Sequence, residues 1–282
     1  MENDLKRLLI KHGFSFKKCY GQNFLTDTAL LGEIVEKAGV TENDVVLEIG
    51  CGAGALTREL SARAKKVYGY EIDEKLKPVL KETLDGADNV EIIFKDVMKE
   101  NLRDLEEKLG DGYMLVANLP YYITTPLIMN FLENGKKIKK LVVMVQEEVA
   151  DRLVAKSGSP DYGAITVAVD FYGSAEKLLR VGREMFSPSP NVDSAVVSIT
   201  VDREKFKDYD YSSVKKVVRT GFNNRRKMFI NNFMKDEGLS RDEAEKILGE
   251  CGISVTVRGE TFSAEDYCKI AKITEKFKKC TK

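Results

Sequence analysis

One histidine, His12, stands in 282 residues. A Ser-His-Asp triad or a His-rich metal site would have to be built on it alone, so chemistry that depends on an imidazole base is not expected. His12 itself reads as an exposed or packing residue on the first helix. The five cysteines (Cys19, Cys51, Cys251, Cys268 and Cys280) are odd in number, scattered and without C-x-x-C spacing. That pattern argues against a zinc site and a disulfide framework, and fits reduced thiols in a cytoplasmic protein. No apolar run reaches the length of a membrane span, and Met1-Glu2-Asn3-Asp4-Leu5-Lys6-Arg7 lacks the apolar core of a signal peptide, so no membrane partner is expected. Internal repeats and low-complexity segments are lacking as well. Net formal charge is zero, but residues 201–282 carry 19 Lys and Arg against 14 Asp and Glu. The first 200 residues hold the compensating acidic excess. Within the basic part, Arg219, Arg225, Arg226 and Lys227 form a candidate phosphate-facing patch.

What is present is ordinary globular material, 43% hydrophobic and 32% charged, in a length that suits one large domain or a large and a small one. An amphipathic helix is predicted over Asn3–Lys11, followed by a basic stretch, Phe14 to Lys18, and a turn at Gly21. Gln22 and Asn23 precede a helix that Thr26 or Asp27 caps. From residue 45 the signals alternate. Strands are predicted at Val45–Ile49, Lys66–Glu71, Val90–Phe94, Tyr113–Ala117 and Leu141–Val145. Helices separate them at Thr57–Ala64, Glu74–Leu84, Asp104–Leu109, Thr125–Leu132 and Glu147–Ala155. That order calls for a doubly wound, Rossmann-like parallel sheet. Ile165–Phe171 and Ala195–Val201 read as a terminal antiparallel strand pair. Beyond about residue 204 all signals are helical, at Ser213–Phe222, Arg226–Asp236, Arg241–Leu248 and Ala264–Lys278. Ser240 with Glu243 makes a capping-box start. The expected division is 1–204 and a small all-helical 205–282.

Chemistry concentrates at the strand ends, where open parallel sheets bind ligands. Glu48-Ile49-Gly50-Cys51-Gly52-Ala53-Gly54 links the first strand to a helix through a glycine-rich loop that brings backbone amides close to a ligand. Alone it fits a dinucleotide or S-adenosylmethionine equally, with Glu71 suited to a ribose in either case. Three features favour S-adenosylmethionine. Glu48 suits a cationic ligand better than a pyrophosphate. Asp96 ends the third strand, where it can accept from an adenine amine. Asn118-Leu119-Pro120-Tyr121 ends the fourth, where two acceptors and a flat ring can grip an exocyclic amine and its base. On its own, Asn118–Tyr121 fits a proline turn capped by aromatic core residues better than a site.

These residues resemble the bacterial KsgA family of small-subunit ribosomal RNA adenine dimethyltransferases. The likeness runs through Gly21-Gln22-Asn23-Phe24-Leu25, Glu48–Gly54, Asn118–Tyr121, Val145–Arg152, Phe186-Ser187-Pro188-Ser189-Pro190-Asn191-Val192-Asp193-Ser194-Ala195 and Gly221-Phe222-Asn223-Asn224-Arg225-Arg226-Lys227. The resemblance implies cofactor contacts at Asn23, Leu25, Gly50, Glu71, Asp96 and Asn118. It also implies dimethylation at N6 of two adjacent adenines in a hairpin loop near the 3' end of 16S rRNA. The partner would be a small ribosomal subunit or its precursor, approached by a monomer without a metal. Asn118, Leu119, Pro120 and Tyr121 are the candidate catalytic residues, and Phe186 is a candidate second wall for the base or a hydrophobic plug under its loop. A large-subunit methylase of the Erm type, a ribosome-assembly factor with little turnover, and an NAD-dependent dehydrogenase are the alternatives. The last leaves Asn118–Tyr121 unexplained.

Overall fold

A computed structural model describes residues 2–14, 23–25 and 27–280, with residues 2–6 and 280 described only in their backbone. The expectations for Ser15 to Lys18, Cys19, Gly21, Gln22 and Thr26 lie outside the described residues. In chain order the elements are α1 (Glu2–Lys11), β1 (Phe24–Leu25), α2 (Thr28–Ala38), β2 (Val45–Ile49), α3 (Ala55–Ser61), β3 (Lys66–Glu71), α4 (Lys77–Thr83), β4 (Val90–Phe94), α5 (Leu102–Leu109), β5 (Tyr113–Asn118) and α6 (Thr124–Asn134). There follow β6 (Ile138–Gln146), α7 (Glu147–Val154), α8 (Ala164–Tyr172), β7 (Gly173–Val181), β8 (Phe186–Ser187), β9 (Ser194–Val201), α9 (Tyr211–Asn223), α10 (Phe229–Glu237), α11 (Arg241–Glu250) and α12 (Ala264–Cys280).

Two compact units result. One comprises residues 1–150 and 175–201 and carries a seven-stranded sheet in the order β4-β3-β2-β5-β6-β9-β7. Strands β2 to β6 pair in parallel and β9 runs antiparallel to β6. The chain winds outward from β2 to β4, then returns to lay β5 on the other side of β2. The carboxyl ends of β2 and β5 therefore flank the switch point, where such sheets open a crevice. The buried run Tyr113–Ala117 and the buried Leu141–Val145 make the centre of the sheet apolar on both faces, as parallel strands require. Asp27 caps α2 by accepting from the amides of Ala29 and Leu30, at 2.9 and 3.1 Å.

The second unit comprises residues 151–174 and 202–282. Its core gathers Val167 and Phe171 with Val214, Val217, Phe229, Phe233, Ile247 and Tyr267. Residues 151–174 thus pack with the helices, although the sequence pattern places them with the sheet. Ile165–Phe171 is helix α8 where a strand is expected. Its run of β-branched and apolar residues is buried on several faces, so no periodicity separates helix from strand. The Thr166 hydroxyl starts the helix, accepting from the Gly163 amide at 3.1 Å and donating to the Arg152 carbonyl at 2.6 Å. The strand beside β9 is instead β7, Gly-Ser-Ala-Glu-Lys-Leu-Leu-Arg-Val, whose composition carries little strand signal. The helix expected to begin at Arg226 begins at Phe229, leaving Arg225 to Met228 in the connection between α9 and α10.

Candidate active site

Glycine conformations shape the loop that leaves β2. Gly50 has φ +78° and Gly52 has φ +56°, both in the left-handed region. The Gly50 amide donates to the Tyr70 carbonyl at 2.8 Å, which binds the loop to the end of β3. Gly52 donates to Glu71 Oε2 at 2.8 Å, and the amides of Ile72 and Asp73 each donate to Oε1 at 2.8 Å. Glu71 is therefore fixed by three amides at the end of β3. Burial still raises its pKa above the usual carboxylate value, against the lowering effect of those amides. A Cβ on Gly52 would stand 2.6 Å from the Phe24 ring, whereas one on Gly50 would meet only the Asn118 carbonyl and Pro120 Cδ, both at 3.9 Å. The loop is closed on its Gly52 side and open at Gly50.

Opposite that opening, β5 ends at Asn118. Its Nδ2 donates to the Asn23 carbonyl at 3.3 Å, which leaves Oδ1 as the acceptor end of the amide. The Leu119 amide donates to the Met144 carbonyl at 3.4 Å, tying the turn to β6. Pro120 caps the following turn by accepting from the Ile123 amide at 3.1 Å and the Thr124 hydroxyl at 3.3 Å. The Tyr121 hydroxyl lies 2.8 Å from Ser194 Oγ, and burial pushes its phenol pKa up, so it stays neutral. Asp96 follows β4 and caps a short 3-10 turn through the Met98 amide at 3.0 Å, with Lys99 Nζ 3.7 Å from its second oxygen. Leu25 pairs with Phe186 in the small ladder between β1 and β8.

A cavity of about 290 Å³ gathers these groups. Asn23, Leu25, Gly50, Glu71, Asp96, Asn118, Leu119, Pro120, Tyr121 and Phe186, all selected from the sequence, line it. Phe186 is also only 6% exposed and belongs to the core with Leu25 and Leu31, so its ring has little surface to offer as the structure stands. Glu48 lines the same cavity but is 1% exposed, and burial, with the charge of Glu71 adding, pushes its carboxyl up to about 8. The Thr57 hydroxyl and the Cys51 thiol beside it offset part of that rise. Cys51 is a buried free thiol, kept protonated by that burial.

Ile72, Met98 and Tyr122, to which the sequence assigns no role, also line the cavity and are exposed, at 46%, 39% and 61%. A signal existed: each follows within two residues of Glu71, Asp96 or Tyr121, at the strand ends where such sheets bind ligands. His12 is placed elsewhere, with Nε2 2.9 Å from Glu82 beside the Lys11–Glu82 pair. Among the described residues no cluster of His, Cys, Asp and Glu suits a metal ion, and no helix is long and apolar enough to cross a membrane.

In the helical unit the four basic residues behave differently from one another. Residues 211–230 contain six Lys and Arg and no acid. Arg219, Arg225, Arg226 and Lys227 are all exposed, and what sets Arg225 apart is its partners. Arg225 is committed within the unit: it donates to the carbonyls of Tyr162 and Pro160, lies 3.5 Å from Glu260, and stacks over Phe222 at 5.3 Å. It shapes the connection between α9 and α10 on which Arg226 and Lys227 stand.

Comparison with known proteins matches residues 13–276 to the family model for ribosomal RNA adenine dimethylase. The chain is 45% identical, over 94% of each sequence, to the ribosomal RNA small subunit methyltransferase A of Bacillus licheniformis. Among solved structures it resembles a dimethyladenosine transferase from Plasmodium falciparum, with a TM-score of 0.76 and 25% identity over 88% of this chain and 95% of that one. It also resembles the 23S rRNA methyltransferase ErmE, with a TM-score of 0.69 and 25% identity over 90% of this chain and all of that one. The fold is thus common to a dimethyladenosine transferase and a 23S rRNA methyltransferase, and fold alone does not separate their substrates. With its glycine loop, its Asn-Leu-Pro-Tyr turn and nearly its whole length accounted for, the chain belongs to the ribosomal RNA adenine dimethylase family.

Proposed function

We propose that the protein uses S-adenosylmethionine to dimethylate N6 of two adjacent adenines in a hairpin loop near the 3' end of 16S rRNA, within the small ribosomal subunit or its precursor. The observation that carries this reading is the orientation of Asn118. With Nδ2 held by Asn23, Oδ1 is presented as an acceptor at the end of β5, beside the Leu119 carbonyl and the Tyr121 ring.

The lining fits the cofactor. Gly50 leaves open the space that a Cβ would fill, and the carboxylates of Glu71 and Asp96 supply acceptors for a ribose and an adenine amine. Exposed Ile72 and Met98 offer apolar surface for the adenine faces. When bound, S-adenosylmethionine supplies an electrophilic methyl group on a sulfonium.

The rest falls to the chain. The N6 amine of adenine is a weak nucleophile because its lone pair is delocalised into the ring. Acceptance of its two N–H hydrogens by Asn118 Oδ1 and the Leu119 carbonyl favours a pyramidal nitrogen with a localised pair. Tyr121 stacks on the base, an interaction worth roughly 1–3 kcal/mol in single-strand recognition, and Phe186, which lines the same cavity, is the candidate for the other face. The proton leaves after transfer, so no strong base is required, and positioning with fixed dipoles supplies the acceleration. An adenine can enter only when unstacked, which suits a hairpin loop.

The test is to incubate the purified protein and labelled S-adenosylmethionine with undermethylated small and large ribosomal particles separately. Label in dimethyladenine of the small particle supports the reading. Label confined to the large particle would assign the Erm-type specificity, and binding without label would leave an assembly factor.

A further inference from the structure

Tyr121 is held at two ends. Its backbone sits in the turn that Pro120 and Thr124 close, and its hydroxyl meets Ser194 Oγ at 2.8 Å. Ser194 is the first residue of β9, fully buried, and pairs with Gln146 at the end of β6. The hydrogen bond therefore spans from the end of β5 to the start of β9, across the intervening β6. Ser194 is itself anchored through its neighbour. The Asp193 carbonyl accepts from the Glu147 amide at 3.0 Å, and its side chain accepts from the Arg183 amide at 3.1 Å and from Arg180 Nη2 at 2.8 Å. Arg180 Nε then reaches Glu147 Oε2 at 3.2 Å.

We propose that Ser194 is a positioning residue, whose hydroxyl locks the Tyr121 ring in the attitude that receives the target base. The inference rests on the proposed stacking role of Tyr121 and adds a cause for the ring's orientation. An aromatic side chain that swings about χ1 and χ2 must be immobilised when the base enters. One already fixed has lost that freedom on folding, so the base meets a rigid wall. With its hydroxyl tied to Ser194, Tyr121 presents the face of its ring to the base.

The experiment compares Tyr121→Phe, Ser194→Ala, the double variant and Tyr121→Ala in steady-state methylation of small ribosomal particles. Calorimetric titration with S-adenosylmethionine and thermal melting are run on each. Tyr121→Phe keeps the ring and removes only the tether. The expected result is a KM for the particle raised roughly tenfold in both single variants, the fold-change of freeing one side chain. The double variant should be no worse than either single one, because all three break the same bond. kcat should change less than twofold, and cofactor affinity should stay at the wild-type value. Wild-type particle kinetics for Tyr121→Phe and Ser194→Ala, alongside a deficient Tyr121→Ala, would overturn the positioning role and leave stacking intact. Wild-type kinetics for Tyr121→Ala would remove the stacking reading itself. Additive losses, or equal losses of cofactor affinity, would mark Ser194 as a packing residue and also overturn the proposal.

Discussion

Gly50→Ala separates a loop that merely turns from one that makes room for a ligand. Gly50 sits at φ +78°, and alanine there carries the left-handed penalty of roughly 1–2 kcal/mol. Its new Cβ, however, meets nothing closer than 3.9 Å, so the protein itself offers no further resistance. The fold should therefore lose only that backbone term, a fall of a few degrees in Tm for a chain of this size. A methyl group in a space kept for a ligand costs more, about 1–3 kcal/mol of overpacking or a 5- to 150-fold weaker Kd. Calorimetric titration with S-adenosylmethionine and its demethylated product measures the second quantity, and a melting curve measures the first. Gly52→Ala is the control with the opposite profile. Its Cβ would lie 2.6 Å from the Phe24 ring, so the protein must give way before any ligand arrives, and Tm should fall further than for Gly50→Ala. Wild-type cofactor affinity in Gly50→Ala would refute the idea that the opening at Gly50 is a cofactor cradle.

Other perturbations test other parts of the account. Burial holds Glu48 near 8 in the folded chain against 4.5 for an ordinary carboxyl, so the folded state keeps a proton that the unfolded state releases. Stability should accordingly fall as pH rises from 4.5 toward about 8 and level off above it, by at most about 5 kcal/mol at 1.36 kcal/mol per pH unit. Glu48→Gln should flatten that dependence in melting curves taken across the window; an unchanged slope would place the titration elsewhere. Charge reversal at Arg226 and Lys227 should weaken RNA binding and reduce the salt slope by roughly 0.7 for each single-strand phosphate that the protein no longer neutralises. Arg225→Ala should instead lower folding stability, by about 1 kcal/mol, because it strands carbonyls that the guanidinium serves. A salt slope unaltered by the double reversal would reduce that surface to ordinary solvated charge.

Local signals carried much of the architecture. Strands β2 to β6 alternate with helices of ordinary length, and their apolar runs are bounded by turn residues, so the parallel sheet was legible. That Glu71, Asp96 and Asn118 would line one candidate site was legible for a related reason: they are polar residues that close strands, and strand ends converge in this topology. Legibility failed where tertiary packing decides. α8 is too uniformly apolar to show a period, and β7 has helix-like composition but completes the sheet beside β9. The packing of residues 151–174 with the helical unit depends on Val167 and Phe171 meeting residues far along the chain. The commitment of Arg225 to carbonyls some sixty residues away had no local trace, although its neighbours Arg226 and Lys227 face solvent. Tyr121 was chosen for its ring, and nothing in its neighbourhood announced that Ser194 would hold its hydroxyl.

The central claim is that Asn118 presents Oδ1 to the target amine, and single-turnover methyl transfer by Asn118→Ala measures it most directly. Undermethylated small ribosomal particles and labelled S-adenosylmethionine at saturation are the reactants. Loss of one preorganised acceptor should slow the transfer step by about 10²–10³-fold. Cofactor affinity should weaken only moderately, since Gly50, Glu71 and Asp96 remain in place. Transfer at the wild-type rate would contradict the account.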